Sequence, residues 1–192
     1  ASRLVGGREI TANDVAFCIE RKFARGHYFG QTRPGWLKSA TATDKYTVVL
    51  DVVEDREQTT MMMEYMLEFI RPYPPELVEK YGDLNDWRNL VGTGPFFLVD
   101  CVSDSSYTFV RNPNYWMKDP IGPGKGNQLP YLDGVIWLEI RDKSTAIAAL
   151  RTAKVDYIGC LAEANVVYED ERSLLKTNPE LKSHGHISSE FA

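Results

Sequence analysis

Histidine and cysteine are scarce in this chain, with three of each among 192 residues. Cys18, Cys101 and Cys160 lie far apart and none belongs to a CxxC pair, so neither a disulfide framework nor a zinc-ribbon spacing is present. The free thiols read as buried small residues, Cys18 on a helix face above all. No HExxH stretch and no Gly-x-Ser-x-Gly elbow occurs, which removes two common hydrolase designs. His184 and His186 flank a glycine near the chain end, but two ligands fall short of the three or four that a metal site requires. No cofactor and no metal is therefore expected. Basic residues are outnumbered 22 to 27, the net charge is −5, and no basic stripe stands out, so a nucleic-acid partner has no electrostatic footing. No apolar run approaches the roughly 18 residues of a membrane span. The opening ASRLVGGREIT lacks the apolar centre of a signal peptide and reads as a start part-way into a domain.

What remains is the composition of a globular α/β chain: 43% hydrophobic residues, 14 glycines and 10 prolines, enough for one or two domains. Thr11 and Asp14 form a capping-box pair ahead of Val15, Ile19 and Phe23 at helical spacing, predicting a helix over 12–25 with Gly26 as its stop. A polar connection follows. KYTVVLDVV predicts a strand over 45–53, and the methionine-rich run 61–70 a core helix that Pro72, Pro74 and Pro75 end. Pro75 then suits the first turn of a short helix over 76–81.

The stretch LVGTGPFFLVD, residues 90–100, resembles a phosphate loop only superficially. Pro95 removes a backbone donor and keeps Gly94 out of the α region, and FFLVDCV continues as a strand rather than a helix N-terminus. The glycines are read as admitting a tight approach at a strand start, with Pro95 fixing entry. YTFVR, residues 107–111, completes a hairpin with 96–102, after which Arg111 and Asn112 fix a turn through the asparagine side chain. Residues 121–130 are a Gly/Pro-rich loop. Tyr115, Trp116 and Trp137 are expected in the core.

VIWLEIR (135–141), STAIAALRT (144–152) and the short run 155–158 predict a β-α-β unit with parallel strands, and a further helix covers 167–176. Ligands in open α/β sheets gather beyond the carboxyl ends of strands, here at 142–144 and 157–160. Tyr157, Ile158, Gly159 and Cys160 are accordingly the candidate ligand contacts, Tyr157 offering a flat ring and a hydroxyl. Glu169, Asp170 and Glu171 read as a solvated helix face rather than an acid/base pair. No catalytic residue is identified.

Taken in order, GREITANDVAFCIERKFA, VGTGPFFLVD, FVRNPNYWMKDP and LPYLDGVIWLEIRDKSTAIAALRTAKVDYIG resemble the extracytoplasmic solute-binding proteins of ABC transporters, specifically the peptide/nickel-binding family 5. The recurring phrases fall at Gly7–Val15, Gly92–Phe96, Arg111–Trp116, Leu132–Val135 and Ala149–Asp156. Ala153 stands where the family usually has glycine; if the turn needs positive φ, alanine there costs on the order of 1 kcal/mol. The resemblance implies an incomplete, mixed-sheet lobe of a periplasmic-binding-protein-like (type II) fold. Residues 1–160 would be part of the first lobe, and 161–192 the crossover and start of the second. It further implies capture of a peptide or related small solute in the periplasm or at the cell surface on a lipoprotein anchor, delivery to permease subunits, a monomeric state and no catalysis. Two rivals stay open on the residues alone: the sensor domain of a receptor and an intracellular α/β enzyme domain.

Overall fold

The computed structural model describes residues 2–24, 26–32, 35–54, 59, 60, 63, 70–158 and 166–183. Its elements begin with α1 (Ser2–Val5), α2 (Ala12–Phe23) and α3 (Tyr28–Thr32), followed by β1 (Leu37–Ala42) and β2 (Val48–Val52). After α4 (Pro75–Tyr81) and a single 3₁₀ turn at Trp87–Asn89 come β3 (Phe96–Val102), β4 (Ser106–Arg111) and β5 (Gly134–Leu138). Two helices close the order, α5 (Lys143–Arg151) and α6 (Tyr168–Thr177). By internal contacts the chain divides into Ala1–Val99 with Phe109–Val135, and Asp100–Thr108 with Ile136–Ala192.

In the first unit, α2 starts as the capping residues predict. Asp14 accepts the Thr11 backbone N–H at 2.7 Å and the Thr11 hydroxyl at 3.2 Å. The same carboxylate, 2% exposed, receives two bonds from the Arg8 guanidinium at 2.9 and 2.6 Å. Arg8 also reaches Glu76 on α4, at 2.9 and 2.8 Å, so one guanidinium joins segments 68 residues apart. These bonds raise the pKa of Arg8 and hold Asp14 and Glu76 below the usual carboxylate range. Pro75 sits in the first turn of α4, where its missing N–H has no intrahelical partner to lose, and Gly82 caps the helix at φ +81°.

β1 and β2 are antiparallel, with Ala40 opposite Leu50 and Ala42 opposite Val48. Alternation along β2 turns Val48, Leu50 and Val52 inward and leaves Val49 and Asp51 exposed. That inner face packs on α2 around a core of Ala16, Ile19, Trp36 and Ala40, with the Phe23 ring 5.2 Å from Trp36. Burial of Trp36 alone removes a side chain's worth of apolar surface that is worth ~2–3 kcal/mol. β1 was not foreseen, because LKSATA carries a single β-branched residue and its pairing is decided by β2 and α2.

The second sheet has the order β3-β4-β5. Hydrogen bonds Asn112 N–H to Pro95 O and Ser105 N–H to Val102 O make β3 and β4 antiparallel. Arg111 N–H to Asp133 O and Glu139 N–H to Ser105 O do the same for β4 and β5, each at 2.8 Å. Gly134 permits this pairing, since a Cβ there would lie 2.7 Å from the Phe109 carbonyl oxygen. Gly94 and Gly92 do not play the expected part: a Cβ on Gly94 meets only Phe96 O at 3.9 Å and one on Gly92 meets nothing within 4 Å. Strand entry at β3 rests on Pro95 and on Asn112, not on close backbone approach.

α5 begins at Asp142, whose carboxylate accepts from the Thr145 N–H at 2.7 Å and hydroxyl at 2.6 Å. It ends in a Schellman motif, with Ala153 N–H on Leu150 O and Lys154 N–H on Ala149 O. Ala153 has φ +54°, so the left-handed position suspected from the sequence is real. No strand follows. Residues 155–158 are irregular, and the parallel β-α-β unit is corrected to a single strand and helix: Val, Tyr and Ile have strand propensity, but no described strand pairs with them. α6 packs on α5 through a Lys143–Asp170 ion pair at 2.6 Å, so the acidic run 169–171 includes one engaged carboxylate. The methionine-rich run lies almost wholly outside the described residues.

Candidate ligand-binding site

Of the four ligand-contact candidates, Tyr157 and Ile158 are described, while Gly159 and Cys160 lie outside the described residues. Tyr157 is 81% exposed, its ring and hydroxyl open to solvent on an irregular segment rather than at a strand end. Asp142, at the other expected strand end, is committed to capping α5. His184 and His186 also lie outside the described residues, and among the described residues no group of three metal-binding side chains occurs.

A feature the sequence did not reveal lies in the first unit. An apolar groove of about 330 Å³ is lined by Pro95, Phe96, Tyr115, Leu129, Pro130, Tyr131 and Leu132. Asn112, nearly buried, sets one wall: its side-chain N–H donates to Gly94 O at 3.0 Å and its Oδ1 accepts from Asn114 N–H at 3.0 Å. This is the turn-fixing role predicted for it. The Gln128 amide secures the opposite wall by donating to the carbonyls of Tyr115, Met117 and Leu129. The Tyr131 hydroxyl donates to Asp119, which holds the carboxylate below its usual range and the phenol above its own. With the Tyr131 hydroxyl on Asp119 and the Tyr115 hydroxyl directed to Met117 Sδ at 4.0 Å, the groove suits an apolar side chain. Its sequence signal was the pairing of Tyr115 and Tyr131 with Pro95 and Pro130, four residues split between a motif and a loop.

Trp116 and Trp137 correct a further expectation. They are 69% and 48% exposed, because no layer of the described residues covers them.

Residues 6–187 match the family described as bacterial extracellular solute-binding proteins, family 5 middle. The chain belongs to this family. Heme-binding protein A of Haemophilus influenzae is 27% identical over 167 residues, 79% of this chain and 28% of that protein. Oligopeptide-binding protein SarA of Streptococcus gordonii is 32% identical over 111 residues, 55% of this chain and 16% of that one. Among solved structures, the oligopeptide-binding protein AppA of Bacillus subtilis, in complex with a nonapeptide, superposes with a TM-score of 0.66 at 20% identity. It covers 89% of this chain, which spans 32% of it. HbpA2 of Haemophilus parasuis gives 0.64 at 23% identity, with 89% and 34% covered. The fold is therefore that of periplasmic binding proteins, and the chain spans about a third or less of the length of these relatives. Family members are extracytoplasmic binding proteins rather than enzymes.

Proposed function

We propose that this chain is part of the substrate-binding component of an ABC importer, capturing peptides outside the cytoplasmic membrane for delivery to permease subunits. The observation that carries the reading is the family match across residues 6–187, supported by relatives named as oligopeptide-binding proteins. Capture proceeds by closure of two lobes about a hinge, with residues 1–160 in the first and 161–192 leading into the second. Tyr157 and Ile158, with Gly159 and Cys160, contribute ligand contacts, the exposed Tyr157 ring stacking on a peptide side chain or backbone. The protein acts as a monomer, in the periplasm or on a lipoprotein anchor.

The test is a thermal-shift screen of the full-length protein with di- to pentapeptides, nickel chelates, small sugars and hemin, the last prompted by the heme-binding relative. A ligand at a hundredfold excess over its dissociation constant adds about 2.7 kcal/mol of stability. A shift with peptides alone, reduced at least tenfold in affinity by Tyr157→Ala, is the expected result. A shift with hemin alone replaces the ligand class. No shift from demonstrably folded protein overturns the proposal.

A further inference from the structure

Asp133–Gly134 is the single Asp-Gly step in the sequence, and it stands at the entry to β5. Asp-Gly is the aspartyl step most prone to rearrange at neutral pH. A glycine nitrogen has no neighbouring side chain to shield it, so it can close a succinimide ring on the aspartate Cγ. The glycine is not free to change. A Cβ at 134 would lie 2.7 Å from the Phe109 carbonyl oxygen, so the β4–β5 pairing requires it. The fold therefore retains a labile step, and it also clamps that step. The Asp133 carboxylate receives the Arg111 guanidinium, and the Asp133 carbonyl receives the Arg111 backbone N–H at 2.8 Å. One residue of β4 thus holds both the side chain and the main chain of Asp133. Ring closure needs Cγ to swing onto the Gly134 nitrogen and the Asp133 ψ to leave the extended range. Either movement parts Asp133 from Arg111. The Asp133 side chain is 90% exposed among the described residues, so water reaches the ring once it has formed.

We propose that Asp133 is a site of self-modification to isoaspartate, and that Arg111 is the latch that sets its rate. The step balances without a co-reactant. The Gly134 nitrogen bonds to Asp133 Cγ and gives up its proton, while the side-chain oxygen leaves as water. Water then adds back at either ring carbonyl. Opening at Cγ restores aspartate. Opening at the main-chain carbonyl leaves the chain running through Cβ and Cγ, as isoaspartate of unchanged mass. That product adds a methylene to the main chain at the head of β5 and turns the former Asp133 carbonyl into a free carboxylate. The Arg111 N–H then has no main-chain acceptor in the present register, so β5 is loosened from β4 at its entry. Local opening of this pairing, rather than global unfolding, admits the reaction.

The experiment incubates the full-length protein at neutral pH and physiological temperature. Isoaspartate is counted by labelling with an isoaspartyl methyltransferase and located by peptide mass spectrometry. In the parent it is expected at residue 133, forming at least about tenfold more slowly than in the same protein held unfolded in urea. Arg111→Ala, shown to be folded by its melting curve, should form it roughly two- to fivefold faster, the range that an exposed ion pair is worth. Arg111→Lys, which keeps the charge, should fall between the two. High salt should bring the parent's rate toward that of Arg111→Ala and leave the variant's own rate unchanged, because screening acts on the pair. Equal rates for the parent and both variants overturn the proposal. So does a parent rate indifferent to salt, a label that maps to another residue, or no label in parent and variants alike.

Discussion

Replacing Ala153 with glycine is the perturbation whose sign the structure fixes most directly. Ala153 sits at the left-handed position of the Schellman motif that ends α5, with φ +54°. Crowding of its Cβ against the following carbonyl costs roughly 1–2 kcal/mol. Glycine removes that strain and returns about 0.5–1 kcal/mol of extra unfolded-chain entropy. The balance favours Ala153→Gly by about 0.5–1 kcal/mol, or roughly 1–4 °C in a chain of this size. Ala148, exposed within α5, provides the opposite case: the same chemical change there should destabilise by about 1 kcal/mol. Chemical denaturation of the two variants beside the parent measures both. If Ala153→Gly lowers stability as Ala148→Gly does, the strain argument is wrong and the cap does not require a left-handed residue.

Asp14→Ala strips a buried carboxylate from Arg8 and Thr11 and should lower unfolding free energy by about 2–3 kcal/mol, against less than ~0.5 kcal/mol for Lys38→Ala at the exposed Lys38–Asp51 pair. Because Arg8 depresses the folded-state pKa of Asp14, this stabilisation is complete above about pH 4, the unfolded value, and disappears as pH falls through the lower folded value. An acid titration of stability should therefore fall less steeply below pH ~4 in Asp14→Asn than in the parent. Asn112→Ala leaves the Gly94 carbonyl and the Asn114 N–H without their side-chain partner and should cost about 1–3 kcal/mol in denaturant melts. Gly134→Ala drives a methyl against the Phe109 carbonyl and should cost about 1–3 kcal/mol, while Gly94→Ala stays within ~0.5 kcal/mol; the reverse order would discredit the β4–β5 register.

The parts of the fold legible in the sequence are those decided within a few residues. Thr11 and Asp14 announced α2, Pro75 announced α4, and the strand-like runs 96–102 and 107–111 announced the β3–β4 hairpin, because caps, turns and short strand runs are local chemistry. β1 escaped notice because its weakly strand-forming LKSATA is held by partners elsewhere in the chain. Residues 155–158 misled for the converse reason: propensity favoured a strand, but a strand needs a neighbour, and none of the described residues supplies one. The same dependence on long-range partners hid the groove, whose walls come from three separated segments, and put Trp116 and Trp137 at the surface rather than inside.

Cys18 carries a consequence for how the first unit meets oxidants. The residue is 1% exposed, and its thiol both donates to Tyr73 O and accepts from Tyr73 N–H, at 3.3 Å each, so it joins α2 to the segment before α4 as a pair of strands would be joined. Burial also raises its pKa, keeping it from the reactive thiolate form. A thiol so enclosed reacts slowly with oxidants as long as the fold is intact. In the folded first unit Cys18 is thus shielded from disulfide exchange, which needs an accessible thiolate.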